Sequence, residues 1–454
     1  MSFRSHPNLV LLILSLAFML ALCSSERASA QLIISTETSD RTLDAKVQAA
    51  IIDSIAKALV DEYVFLDKAQ AMSKFIHDQF RKGAYKSITS GREFAMRITE
   101  DLRSISNDRH LGVHFVSDNQ LKEMAAARDS LAPNPWYEEM KASNYGFRKL
   151  EILDGNVGYL DLRGFVPAEI AGSTAIAAMN FLSGCDAVIF DLRQNGGGDP
   201  SMIQLITSYL FETPVHLNSF YIRAQDTIQQ FWTQAYVPGN KMPNAAVYVL
   251  TSPFTFSGGE EFAYNLQSLK RGTIIGKTTG GGAHPTNERL FASLNVQVAV
   301  PFGRAINPIT GTNWEGVGVA PDIEVDPQQA LDVAYLAALQ SISEKSTDLR
   351  KKERLQWAAE AIAARVRPTQ LDEAKLAEYV GTYGPRRVWL ENGKLRYQRE
   401  QNPASTLVPL GNDRFMIENV DYFRAQFLRD ESGRVVTFLG LYDNGTSDQH
   451  TRTD

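Results

Sequence analysis

Three features of the sequence predict an α/β protein with helices in front and a second, β-rich unit behind. Between residues 150 and 335 short apolar runs alternate with helical stretches, as strands buried on both faces do. Before them, residues 42–106 carry apolar side chains at helical spacing. After Pro368 the pattern changes to short strand-like pieces with turn signals. The expected division is 1–30 leader, 31–115 N-terminal helical bundle, 116–149 linker, 150–335 α/β core, 336–367 helical connector and 368–454 C-terminal β-domain.

In the leader, Arg4 and His6 precede an apolar run from Leu9 to Leu22, and Ala28-Ser29-Ala30 forms an A-x-A cleavage pattern. The run falls short of the roughly 20 residues that span a bilayer. It reads as an export signal cleaved before Gln31, which places the mature chain in a periplasm or outside the cell without stable membrane insertion. Cleavage leaves one cysteine, Cys185, so no disulfide framework is expected. With 46 Lys and Arg against 52 Asp and Glu, the net charge is −6, which argues against a nucleic-acid partner. No cluster of Cys and His has zinc-ligand spacing, and no phosphate-binding glycine motif occurs.

The bundle follows from Val47, Ile51, Ile55 and Leu59, one face of a helix, and from similar segments at 68–82 and 91–105. Residues 116–147 are polar and irregular, with Pro133 and Pro135 between charged helical pieces. In the core, Val157–Leu162, Ala187–Leu192, Ala246–Thr251, Thr273–Gly276 and Val296–Val300 read as strands, and 168–182, 200–211 and 258–270 as helices. Helices follow from 328 to 366. In the C-terminal unit, Asn392-Gly393 between Val388–Leu390 and Leu395–Tyr397 is a type I′ hairpin signal.

Four windows carry groups capable of chemistry. Thr251-Ser252-Pro253-Phe254-Thr255-Phe256-Ser257-Gly258-Gly259-Glu260 joins a strand to a helix, where a serine hydroxyl lies close to free backbone N–H groups. Ser257 followed three residues later by Glu260 is equally a helix capping box. Asp191-Leu192-Arg193-Gln194-Asn195-Gly196-Gly197-Gly198 follows another strand, and its glycines allow close backbone approach to a ligand or a plain turn. Asp108-Arg109-His110 closes the helical bundle. Asn313-Trp314-Glu315-Gly316-Val317-Gly318-Val319-Ala320-Pro321-Asp322 reads as a turn leading to a proline stop.

In this order the windows resemble the C-terminal-processing (tail-specific) serine peptidases, in the branch of the tricorn core and the interphotoreceptor retinoid-binding-protein modules. The resemblance covers roughly residues 42–335. It implies a crotonase-like ββα core and an exported peptidase that works through an acyl-enzyme on a peptide or protein substrate, without metal or cofactor. It implies Ser257 as nucleophile, His110 as general base and Glu315 as acidic helper, the three parts that activate a serine hydroxyl. Gly258 and Gly197 would supply the oxyanion hole, with Gly196, Gly198 and His284 lining the substrate site. His284 is also a competing base. The Lys of the Ser–Lys branch is absent: Gly282 stands at its position. The resemblance leaves oligomeric state open, and it admits a second reading, a carrier of an apolar ligand without proteolysis. Tyr379-Val380-Gly381-Thr382-Tyr383 resembles small β-domains appended to bacterial hydrolases.

If the A-x-A pattern is the cleavage site, intact-mass analysis of exported material should show an N-terminus at Gln31. A product beginning at Cys23 with added lipid mass would show a lipoprotein instead.

Overall fold

The computed structural model describes residues 40–129 and 135–454. The expected leader and its cleavage site lie outside the described residues. The N-terminal bundle comprises α1 (Ala45–Glu62), α2 (Leu66–Arg81) and α3 (Gly91–Ser106). Asp44 caps α1 by accepting from Val47 N–H, and Ser90 caps α3 by accepting from Glu93 N–H. Asn107 ends α3 in the left-handed conformation at φ 57°. That reversal directs Asp108–His110 toward the core and starts β1 (Gly112–Phe115).

The chain then forms α4 (Asp118–Asp129), α5 (Pro135–Ala142), β2 (Phe147–Leu153), β3 (Val157–Leu162), α6 (Ala168–Leu182), β4 (Ala187–Asp191) and α7 (Pro200–Ser208). The stretch expected as a polar linker with charged helical pieces carries two helices and, beyond that expectation, the first residues of a strand. Its charged sequence hides this, because β2 is largely exposed and shows no apolar run. Next come β5 (His216–Ile222), β6 (Thr227–Trp232), β7 (Ala246–Thr251), α8 (Gly258–Ser268), β8 (Thr273–Gly276), β9 (Thr286–Phe291), β10 (Val296–Pro301), β11 (Gly303–Ile306) and β12 (Ile323–Glu324). The connector holds α9 (Ala330–Lys345) and α10 (Leu349–Val366).

The central sheet has the order β12-β8-β7-β4-β3-β2, parallel except for the β2–β3 pair. Its inner strands bury both faces. Val188, Phe190, Val247, Val249 and Ile274 pack with residues of α6, α7 and α8. The alternate residues Ala187, Ile189, Tyr248, Leu250 and Ile275 pack with α9 and α10. Two smaller sheets flank it, β1-β10-β9 and β11-β5-β6. The strand expected at Val296–Val300 therefore lies outside the parallel sheet. Its apolar residues turn instead to the N-terminal bundle, in one cluster with Ile55, Leu59 and Val113.

The C-terminal unit begins with α11 (Glu373–Ala377), followed by β13 (Gly381–Tyr383), β14 (Arg386–Glu391), β15 (Lys394–Arg399), β16 (Ser405–Gly411), β17 (Arg414–Ile417), β18 (Val420–Arg429), β19 (Val435–Tyr442) and β20 (Ser447–Thr451). They form one antiparallel meander. Its two edges meet at a Tyr383–Arg452 bridge and at Thr453 N–H→Thr382 O (3.0 Å), which protects the edge strands. Asn392 and Gly393 both have positive φ, 53° and 71°, as a type I′ turn requires. Trp357 of α10 joins this unit to the core: Arg424 lies 4.5 Å over its ring, and its indole N–H donates to Asp421 O at 2.7 Å.

Within this unit Arg429 grips Asp413 with two hydrogen bonds (2.7 and 2.9 Å), and Tyr379 OH donates a third (2.5 Å). The Arg429 bonds foremost hold the Asp413 carboxyl at about 2, outweighing its partial burial. An unfolded Asp titrates near 4. The group therefore stabilises the fold above about pH 4, and that contribution fades as pH falls toward 2. Asp413→Asn should lower the thermal midpoint at pH 7, and the gap from wild type should narrow steadily below about pH 4, as circular dichroism melts would show.

Candidate active site

The site forms where the β7–α8 turn, the glycine loop after β4, residues 279–284 and the end of the bundle meet. At the first of these, Ser257 has φ 52° and ψ −118°. A serine serving only as a helix cap sits in the extended region. Positive φ in a non-glycine residue on a strand-to-helix turn is the strained geometry of an exposed nucleophile. The turn is clamped to the glycine loop. Ser252 Oγ donates to Arg193 O (2.6 Å), Thr255 Oγ1 to Leu192 O (2.7 Å), and Phe256 N–H to Asn195 O (3.0 Å). These bonds explain why the T-S-x-x-T-x-S and D-x-R-x-N windows occur together.

The glycine loop corrects one expectation. Gly197 N–H donates to Asn195 Oδ1 at 2.8 Å and Gly196 N–H to Arg163 O at 3.3 Å, so neither is free to hold an oxyanion. Gly198 bridges Phe165 in parallel fashion, through Phe165 N–H→Gly197 O and Asp199 N–H→Phe165 O. That pattern turns its own N–H to the opposite side. A Cβ built on Gly258 would stand 3.0 Å from both N and O of Gly198, so the two backbones are in close contact. Gly258 opens α8, where an N–H has no acceptor within the helix. Gly198 itself has φ 138°, and a Cβ there would meet Phe165 O at 2.1 Å, so only glycine fits.

Glu260, legible in sequence only as half of a cap, does much more. Its carboxylate is fully buried and accepts four hydrogen bonds. Oε1 takes Thr279 Oγ1 (2.5 Å) and Gly281 N–H (2.6 Å); Oε2 takes Gly282 N–H (2.9 Å) and Ser257 N–H (2.8 Å). Burial raises its pKa, and these donors oppose the rise. The Ser257 turn and the 279–284 loop are thus held by one side chain.

The same loop receives the other groups. Ala283 N–H donates to Glu315 Oε2 (2.6 Å), and Trp314 Nε1–H to Gly282 O (2.7 Å). Arg109 donates to Gly280 O. The His110 ring lies 4.6 Å from the Phe256 ring, one residue before Ser257, and a Cβ on Gly282 would meet both rings. Glycine at 282, where the Ser–Lys branch has its lysine, leaves the room that His110 and Phe256 occupy.

Asp108 organises the two histidines. Its Oδ1 accepts from His110 N–H (3.0 Å), and its Oδ2 pairs with His284 Nδ1 (2.7 Å) and accepts from Tyr63 OH (3.2 Å). Burial works against its charge, but His284 and His110 more than compensate, and its pKa is lowered. His284 is itself buried, with Nδ1 also 3.6 Å from Glu315 Oε2. Burial lowers His110 to about 4, against the pull of Asp108, so its ring is neutral near pH 7, as a base requires. Burial raises Glu315 to about 7. His110 Nδ1 and Glu315 Oε1 are both buried without a hydrogen-bond partner. The sequence marks Asp108 only as part of the window that closes the bundle; its central position depends on tertiary contacts with Tyr63 and His284 that no local pattern encodes.

With this geometry in view, comparisons with known proteins decide the family. Residues 156–325 match peptidase family S41, and residues 41–144 match the N-terminal domain of Peptidase_S41 in eukaryotic IRBP. The chain belongs to peptidase family S41. A carboxyl-terminal-processing protease of Picosynechococcus sp. is 25% identical over 242 residues, 50% of this chain and 51% of that protein. A tricorn-like protease C-terminal subunit of Sulfurisphaera tokodaii is 35% identical over 112 residues, 22% of this chain and 13% of that protein. The chain thus spans about half of one relative and a small part of the other. A photosystem II D1 C-terminal processing protease structure superposes with a TM-score of 0.40 at 14% identity, covering 62% of this chain and 94% of that one.

Removing the Glu260 carboxylate should loosen the whole constellation. Glu260→Ala should destabilise the fold by at least about 2 kcal/mol, because several buried donors lose their acceptor at about 1–3 kcal/mol each. Urea denaturation would measure it. Thr279→Val, which removes one donor and leaves the others, should cost clearly less.

Proposed function

We propose that this S41 member is an exported serine peptidase that hydrolyses peptide bonds through an acyl-enzyme on Ser257, with His110 as general base and Glu315 as helper. The single observation that carries the reading is the strained backbone at Ser257, set against the Gly258 and Gly198 N–H pair. A carrier for an apolar ligand has no use for such strain. In this mechanism His110 takes the Ser257 proton as Oγ attacks the scissile carbonyl, and the oxyanion forms between the N–H groups of Gly258 and Gly198. The protonated His110 then gives its proton to the leaving amine, and water repeats the sequence to release the acid. Glu315 offsets the charge that His110 acquires. His284, oriented by Asp108, positions Glu315 and borders the substrate site, along with Gly196.

The reading extends to the frame. The sheet between α6–α8 and α9–α10 is read as a crotonase-like ββα core, with the bundle and the β-meander as separate units around it. Export rests on the leader pattern; among the described residues no helix is long and apolar enough to cross a membrane.

A fluorophosphonate probe should label the chain, and Ser257→Ala should abolish labelling. Ser257→Ala and His110→Ala should each reduce peptide turnover by at least roughly 10³-fold, with little further loss in the double variant, because the pair acts as a unit. Glu315→Gln should cost less. Near-normal activity of His110→Ala beside an inactive His284→Ala would move the base to His284. A Ser257→Ala chain as active as wild type would end the peptidase reading.

A further inference from the structure

Asp108, His110 and Glu315 each present one nitrogen or oxygen atom lying within 4.8 Å of those of the other two. Two of these residues also carry buried atoms with no partner, His110 Nδ1 and Glu315 Oε1. Buried polar groups left unpaired are costly, and native sites fill such positions with water or an ion. One imidazole and two carboxylates form a donor set suited to a first-row divalent ion such as Zn²⁺, and their negative charge offsets that of the metal. Calcium and magnesium prefer six or more oxygens, which this corner lacks.

The supports of the three side chains resemble the outer shell of a metal site. Glu315 Oε2 is fixed by Ala283 N–H, leaving Oε1 available, and Asp108 is fixed by His110 N–H on Oδ1 and by His284 Nδ1 and Tyr63 OH on Oδ2. Ligand atoms around tetrahedral zinc lie roughly 3.3–3.5 Å apart, given metal–ligand distances of about 2.0–2.2 Å. The three atoms need to close in by about an ångström, a movement side-chain torsions can supply.

We propose that Asp108, His110 and Glu315 form an inhibitory site for Zn²⁺ or a similar ion. Bound metal occupies the imidazole that would otherwise accept the Ser257 proton, and it locks Glu315 away from its supporting role. The peptidase is then switched off reversibly by metal availability. The inhibitory part rests on the peptidase reading above; the binding part does not.

Isothermal titration of the purified chain with ZnCl₂ tests this. One equivalent should bind with micromolar affinity, and Co²⁺ in its place should give the visible absorption of a low-coordinate N/O site. Fluorophosphonate labelling should fall as zinc binds and return with EDTA. Ser257→Ala should bind zinc as wild type does, whereas His110→Gln and Glu315→Gln should each weaken binding by at least roughly tenfold, with circular dichroism confirming that they fold. Absence of binding at millimolar metal, or unchanged affinity in both variants, overturns the proposal. Zinc binding of this pattern in a chain whose Ser257 never labels would keep the site and remove the peptidase. Labelling without zinc binding would do the reverse.

Discussion

The site depends on one buried carboxylate without a cation beside it. Glu260 is completely enclosed, yet each of its oxygens has two donors, so hydrogen bonds rather than a salt bridge compensate its desolvation. Three of those donors are backbone N–H groups, which cannot be repositioned without moving the chain. The Ser257 turn and the 279–284 loop are consequently fixed relative to each other by the backbone itself. Everything the loop then holds, including Glu315 through Ala283 and Trp314 through Gly282, inherits that placement. A flexible side chain-to-side chain contact would not define the geometry as tightly, and catalysis by positioned groups is sensitive to displacements of about an ångström.

Close approach explains the concentration of glycines around this carboxylate. The Ser257 turn packs so tightly on the loop after β4 that a methyl group at Gly197 would stand 2.7 Å from Ser257 Cβ. At Gly282 it would stand 2.5 Å from His110 Cε1. Side chains in those places would force the three segments apart. The glycines thus mark two interfaces between segments distant in sequence, and they leave backbone N–H groups as the polar lining.

Much of this was legible in the sequence where a local rule governs. Val157–Leu162, Ala246–Thr251 and Thr273–Gly276 are visible because strands covered on both faces must be apolar throughout. The Asn392-Gly393 turn is visible because its dihedral angles admit few residues. Strands β6 and β9 are not, since Thr-Ile-Gln-Gln-Phe-Trp and Thr-Asn-Glu-Arg-Leu-Phe carry mostly exposed side chains and owe their structure to pairing. At the site, Ser257 and the glycine loop stood out by type and context. Which of its glycines turns its N–H away from neighbouring acceptors did not: the orientation at Gly198 is set by the Phe165 bridge, more than thirty residues away in sequence. The importance of Asp108 was hidden in the same way, since its partners Tyr63 and His284 lie 45 and 176 residues away in sequence.

These long-range partners show how the N-terminal bundle relates to the core. Strand β1 follows His110 directly and pairs along its whole length with β10, from Gly112↔Ala299 to Phe115↔Val296. Val296, Val298 and Val300 of β10 complete the bundle's hydrophobic cluster. Arg223, at the end of β5, donates to Tyr63 O and Val60 O at the end of α1. The bundle therefore does not close its own interior: part of its core and the donors to the C-terminal carbonyls of its first helix come from beyond residue 220. Its chemical contribution, Asp108 and His110, is delivered through the same strand that completes its packing. Packing and site geometry share one strand here: the pairing that buries Val298 is also the pairing that brings His110 against Phe256 and Gly282.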